Sequence, residues 1–332
     1  MRDGRLGGSS ATDCKAGWRA CAANGVFQNG SPSARSAGKL RRSIFRLVIE
    51  PLGNNVITFE RLMQDRSPFR RGLRAIIKRS GLGSYRFRLS VGAVDRPQYA
   101  YLVYNAANLA AKLGLPRVSV IEFGVAGGNG LLSMERHAEE VERIIPSVKI
   151  EIYGFDTGKG LPAPEDYRDL PFHWQEGFFA MDPAELQSKL KRSKLVFGDI
   201  ADTMSSFTEV HNPAPVGAIA VDVDLYSSTR SAFKLFLEQD EFLLPRIVGY
   251  YDDVVGNNVE LMSDFTGERL AISEFNDNNE SRKISPAHHL RILDGGEAWK
   301  HQIWVTHLFH HKNYNDFVSN KNQQLPMRYS QG

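Results

Sequence analysis

An α/β fold with a mostly parallel seven-stranded sheet and helices on both faces is predicted for this 332-residue chain. Three observations predict it. From Pro97 onward, strand-like apolar runs alternate with segments of helical period, the order that crossover connections produce. The runs are almost continuously apolar, as in VGAIAVD (216–222), which suits strands covered on both faces. An acidic residue also stands at or near the end of each of the five leading runs: Glu122, Asp156, Asp199, Asp222 with Asp224, and Asp252 with Asp253. Ligands of open α/β sheets bind beyond the carboxyl ends of the strands, and a sheet built only for packing needs no acids there.

The elements follow in order. Residues 1–38 are rich in Gly, Ser, Ala and Arg without hydrophobic period and read as a disordered tail. Their acid-poor character also suits a transit peptide or a start codon placed too far upstream. Residues 39–94 read as a basic helical extension or lid, in which FRRGLRAIIKRS (69–80) places Phe69, Leu73, Ile76 and Ile77 near one helical face. The main domain is expected over 95–314, with a tail over 315–332. Within it, a helix over 99–114 stops at Gly114 with Pro116 just beyond. Strands are expected at 118–124, 149–156, 194–199, 216–222 and 246–253. Helices are expected at 128–144, 182–192, 201–209, 226–239, 257–263 and 264–276. Two closing strands, at 284–293 and 301–309, complete the seven.

Composition sets the broad class. With 42% hydrophobic and 24% charged residues, the chain is an ordinary globular protein. No apolar stretch is long enough for a membrane span, and no signal-peptide core opens the chain. Cys14 and Cys21 make no disulfide framework, so a reduced, cytoplasmic setting is expected. The net charge of +3 hides an asymmetry. Residues 1–90 carry 18 Lys/Arg against 5 Asp/Glu, and the remainder 23 against 33. The basic arm reads first as a solvated extension; it also suits RNA or an acidic partner.

The chemistry gathers at the strand ends. The first turn reads Glu122-Phe-Gly124-Val-Ala126-Gly127-Gly128-Asn129-Gly130. Its acidic-x-Gly-x-small-x-Gly spacing matches the nucleotide loop of class I S-adenosylmethionine (SAM) methyltransferases better than the dinucleotide G-x-G-x-x-G. An acid at 122 suits the methionyl ammonium. Asp156 ends the second strand, where it can accept both ribose hydroxyls. The TGKGLP that follows is no P-loop, since Tyr153 and Gly160 stand where Gly and Ser/Thr are required. Asp199 is placed either to meet an adenine amino group or to cap the helix over 201–209.

Strands four and five end in Asp222-Val-Asp224-Leu-Tyr226 and Asp252-Asp253. Neighbouring strand ends can gather these four carboxylates at one mouth, where they repel one another unless a hard divalent cation, Mg²⁺ above all, neutralises them. Such an ion lowers the pKa of an acceptor hydroxyl. Some of the four carboxylates are expected only to cap helices. His307, His310, His311 and His173 offer candidate bases, each more simply a surface or core residue. No zinc motif or nucleophile elbow is present.

Taken together, IEFGVAGGNG (121–130), GFDTGKGLP (154–162), FGDIADTM (197–204), DVDLYSST (222–229) and YYDDV (250–254) resemble the macrocin O-methyltransferase-like (TylF-type) family of SAM-dependent methyltransferases over about residues 95–314. IWVTHLFHHKNY (303–314) is similar to tails of uncharacterised relatives. The resemblance implies a Rossmann-like class I methyltransferase fold, SAM as donor, and Mg²⁺-dependent methylation of a hydroxyl on a sugar or other natural product. It implies a metal held by Asp222, Asp252 and Asp253. Asp222 is expected at the chemistry, with Asp224 or a nearby His to take the proton. SAM is expected on Glu122, Gly124, Ala126, Gly128, Asp156 and Asp199. Two departures stand out: Ser227 where the family often has Glu, and Ala126 where it often has an aromatic or basic residue. A small-molecule or glycosylated acceptor is the expected partner. Nucleic acid is not expected, and oligomeric state is left open. The alternatives are an NAD(P)-dependent oxidoreductase, which lacks its Tyr-x-x-x-Lys, and a non-catalytic nucleotide-binding fold whose basic arm binds a partner.

Overall fold

A computed structural model describes residues 68–292 and 297–319, with side chains from Gly72 onward. The expected tail at 1–38, the first part of the extension, both cysteines, the side chain of Phe69 and residues 320–332 lie outside what is described. Seven strands form one sheet in the order β3-β2-β1-β4-β5-β7-β6. They are β1 (Arg117–Phe123), β2 (Lys149–Asp156), β3 (Lys194–Phe197), β4 (Val216–Val221), β5 (Leu243–Tyr251), β6 (Arg282–Pro286) and β7 (Ile303–Leu308). The first five are parallel to their neighbours, and β7 runs antiparallel between β5 and β6. This is the expected Rossmann-like α/β sheet.

Alternation explains the two cores. Val118 and Val120 of β1, with Ile150, Ile152, Ala218 and Ala220, pack against α3 (Pro97–Lys112) and α4 (Asn129–Ile144). Ile121 and Phe123, with Tyr153, Phe155, Ile219 and Val221, pack on the opposite face with Phe207, Phe233, Phe236 and Phe275. All six β4 residues are buried, as a central parallel strand requires.

Several boundaries move. The helix over 226–239 is α-helical only as α8 (Tyr226–Ala232) and tightens to 3₁₀ over Phe233–Leu237. The 201–209 segment divides into α6 (Ile200–Thr203) and α7 (Phe207–His211). No helix forms over 257–263, and α9 (Gly267–Asn278) replaces the one expected at 264–276. The strand expected at 284–293 is instead β6 followed by α10 (His288–Ile292). In α1 (Pro68–Ser80), Ile77 is buried with Val91 and Ala93 while Ile76 is exposed. The face it buries is therefore narrower than the sequence pattern suggests. A shorter α2 (Tyr85–Ser90) follows. No helix among the described residues is long and apolar enough to cross a membrane.

Register positions the site. Phe123 is opposite Phe155 on one side and Val221 on the other, and Val221 is opposite Tyr251. Gly124, Asp156, Asp222 and Asp252 therefore leave or end their strands in one row. The strand order reverses between β1 and β4, the switch point where such sheets open a crevice.

Candidate functional site

A cavity of about 580 Å³ opens at that row. Its aromatic side is Phe155, Trp174, Phe178 and Phe179; its acidic side is Asp156, Asp199, Asp222, Asp224, Asp252, Asp253 and Glu260. Seven carboxylates line the cavity, and among its described lining residues there is no Lys, Arg or His.

The glycine turn takes the expected shape. Gly124 has φ +81°, and a Cβ there would overlap the Asp222 carbonyl, so no other residue fits without backbone movement. Ala126 is also left-handed, at φ 43°, and both line the cavity. Asp156 Oδ2 accepts from the amides of Val125 (2.8 Å) and Ala126 (2.9 Å), and Oδ1 from Gly158 (2.6 Å). An ionised carboxylate offers about four acceptor positions, so roughly one is left. Asp156 thereby holds the turn closed while it lines the cavity.

Asp199 is the helix cap that the sequence offers as one of two readings. It accepts from Ala201 N at 2.7 Å as the N-cap of α6, and it lines the cavity. Glu122 and Gly128 are not on the cavity wall. Glu122 is 2% exposed and turns behind the sheet, where Tyr99 Oη donates to its Oε1 at 2.6 Å and its Oε2 has no partner. Gly128 starts α4 in a left-handed conformation facing Leu186.

The acids at β4 and β5 form one electrostatic unit. Burial, then the charges of Asp252 and Asp224, push Asp222 up to about 8. Burial, then Asp252 and Glu260, push Asp224 up to about 7. Asp253 is raised by burial and by the surrounding acids. A chain of bonds orders them: Asp224 N donates to Asp253 Oδ2 (3.1 Å), and Asp253 N to Glu268 Oε2 (3.0 Å). Tyr250 Oη donates to Asp252 Oδ1, and Gln302 Nε2 to the Asp252 carbonyl at 2.6 Å. The Asp222 carboxylate accepts no hydrogen bond from a described residue. Asp224 is held at φ 61°, a conformation Asp tolerates better than most residues but which still costs energy. None of the four caps α8, which begins after Leu225 without a side-chain cap.

An all-oxygen, mutually repelling set of this kind suits a hard divalent cation. Among the described residues, no three acidic, His or Cys side chains stand together as a finished ligand group. Glu260, Gln302 and Asp169 take part in the site or its support although no motif singles them out; they come from loops without a regular period. His173 packs edge-to-face on Trp174, His307 bonds Tyr314, and buried His311 bonds the carbonyls of Asp240 and Leu243. His173, His307, His310 and His311 are absent from the cavity lining.

Buried Glu122 gives a pH signature. Burial first, with a smaller push from Asp222, raises it to about 8. Its folded pKa exceeds its unfolded one, so its contribution to stability falls as pH rises toward 8. The buried His137, lowered by desolvation to about 4, acts oppositely but only below about pH 6.5. Between about pH 6.5 and 8.5 the metal-free protein should therefore lose about 2 kcal/mol, or roughly 5 °C of melting midpoint, through Glu122. Glu122→Gln should flatten that fall in a pH series of thermal melts; an unchanged slope would assign it to other groups.

No known protein family's sequence profile matches the chain, and no curated protein matches it. Solved structures that resemble it include CalS11, a calicheamicin methyltransferase, 18% identical over 77% of this chain and 91% of that one, with a TM-score of 0.41. The O-methyltransferase NovP is 13% identical over 64% and 79%, with a TM-score of 0.44. MycE, a methyltransferase of the mycinamycin biosynthetic pathway in complex with Mg and SAH, is 14% identical over 63% and 55%, with a TM-score of 0.32. Similarities of this size bear on neither donor nor acceptor.

Proposed function

We propose that the chain is a SAM-dependent O-methyltransferase, aided by Mg²⁺, that methylates a hydroxyl of a sugar or other natural-product acceptor. The observation that carries this is the cavity wall with seven acidic residues and no Lys, Arg or His among its described lining residues. Such a wall favours cationic ligands and opposes a dinucleotide, whose pyrophosphate needs amides or bases at the first turn. Bound SAM supplies an activated methyl on a sulfonium, and bound Mg²⁺ supplies a Lewis acid for the acceptor oxygen.

The chain's own residues do the rest. Gly124 and Ala126 let the backbone approach the donor, and Asp156 and Asp199 offer acceptors for its ribose and adenine. Phe155, Phe178 and Phe179 exclude water beside it. Asp222, Asp252 and Asp253 would hold the ion. Asp224 would accept the proton of an acceptor hydroxyl placed against the donor's methyl group. Alignment and proton removal are the main requirements, because the donor is already activated.

Calorimetric titration with SAM and with NADH separates methyl transfer from the oxidoreductase alternative. SAM should bind and NADH should not; the reverse would discard the assignment. Asp252→Ala should abolish turnover while SAM binding persists. Full turnover in that variant or in excess EDTA would remove the metal from the scheme. Salt-sensitive RNA binding lost on deleting residues 1–90, with no SAM binding, would favour the non-catalytic alternative instead.

A further inference from the structure

The segment between β2 and α5 (Pro183–Lys189) supplies Trp174, Phe178 and Phe179 to the cavity. It contains no strand and only one 3₁₀ turn, Tyr167–Asp169. A loop of that length needs a tether to present a wall. We propose that Asp169 is that tether, a positioning residue that locks the aromatic wall to the acidic rim; this rests on the donor site proposed above.

Asp169 is 1% exposed, and no described Lys or Arg pairs with it. Its Oδ1 accepts from Ser227 N at 2.8 Å, and its Oδ2 from Ser227 Oγ at 3.0 Å and Glu165 N at 2.8 Å. One carboxylate thus joins the middle of the loop to the first turn of α8, three residues after Asp224. The neighbouring Ser228 lines the cavity.

The tether reaches the wall through Leu170, which is left-handed at φ 55° and 2% exposed. The Leu170 carbonyl accepts from His173 N (2.8 Å) and Trp174 N (3.0 Å), and Leu170, Trp174 and Leu225 pack as one cluster. The loop then closes on itself, Leu161 N donating to Phe178 O at 2.8 Å and Gly177 N to Leu161 O at 2.9 Å. Arg168 adds a second link, its guanidinium lying 4.5 Å from the Tyr226 ring centroid and donating to Tyr226 Oη at 3.0 Å. Removing the carboxylate would leave the donors that face it unsatisfied, a loss sufficient to free the loop.

Asp169→Ala, Asp169→Asn and Ser227→Ala are compared with the unaltered full chain by calorimetric titration with SAM and by hydrogen–deuterium exchange without ligand. Asp169→Ala should raise exchange about tenfold in peptides over 161–179 and 226–232, leave β1 and β4 peptides unchanged, and weaken SAM binding about tenfold or more. Asp169→Asn, which keeps one acceptor oxygen, and Ser227→Ala, which loses one hydroxyl bond, should fall between. SAM affinity within about twofold of the unaltered chain, or exchange rising evenly across the sheet, would overturn the role. If the unaltered chain does not bind SAM, the functional assignment fails, while the exchange pattern alone still decides whether Asp169 holds the loop.

Discussion

Asp222→Asn should yield a protein that is more stable and nearly inactive. Asp222 lies at the tip of β4, lines the cavity and accepts no hydrogen bond from a described residue. Burial and the neighbouring charges of Asp252 and Asp224 raise its pKa to about 8. At pH 8 without metal, a neutral amide of the same shape relieves that repulsion, and a gain of about 1–2 kcal/mol is expected. On the proposed function the same change would remove an oxygen ligand of the ion, so Mg²⁺ affinity should fall at least about 100-fold and methyl transfer about 1000-fold. Paired thermal melts and Mg²⁺ titrations check both halves. Metal affinity and turnover within about threefold of the unaltered enzyme would show that Asp222 neither holds the ion nor faces the chemistry.

Gly124→Ala should damage the donor turn more than the size of one methyl suggests. Two costs combine. At φ +81° any L-residue is strained by about 1–2 kcal/mol. The new Cβ would also overlap the Asp222 carbonyl, which is backbone and cannot rotate away. Gly124 N donates to Phe155 O, and Asp222 N to Phe123 O, both at 2.9 Å, so relief must come from parting β1 and β4. A total of about 3 kcal/mol or more, equivalent to roughly 6–12 °C in melting midpoint, is expected. SAM affinity should be lost with it. Gly177→Ala isolates the first cost: its φ is also +81°, with nothing within 4 Å of the new Cβ, so its effect should be near 1 kcal/mol. Equal effects of the two substitutions would show that the close approach at Gly124 is relieved cheaply.

Much of this was legible in the sequence because strand burial and strand-end acids are local signals. VGAIAV (216–221) could be read as a doubly covered strand from composition alone, and Asp156, Asp199, Asp222, Asp224, Asp252 and Asp253 do converge on one cavity. The direction of Glu122 is set by alternation along β1, which the motif alone does not show: Phe123 faces one core, so Glu122 turns to the other side, toward Tyr99. Asp169 and Glu260 were invisible because their positions depend on tertiary contacts of irregular loops, which leave no period in the chain. The short α8 and the helix at 288–292 show tertiary packing overriding local pattern.

The seven acidic residues of the cavity wall, with no Lys, Arg or His among its described lining residues, have a kinetic consequence on the proposed function. Methyl transfer converts a sulfonium into a thioether, so the spent donor departs with one positive charge fewer than the fresh one brought. An enclosure of carboxylates grips the first more firmly than the second. Turnover would then be driven forward at the exit, with replacement of used by unused donor favoured electrostatically and no moving part required.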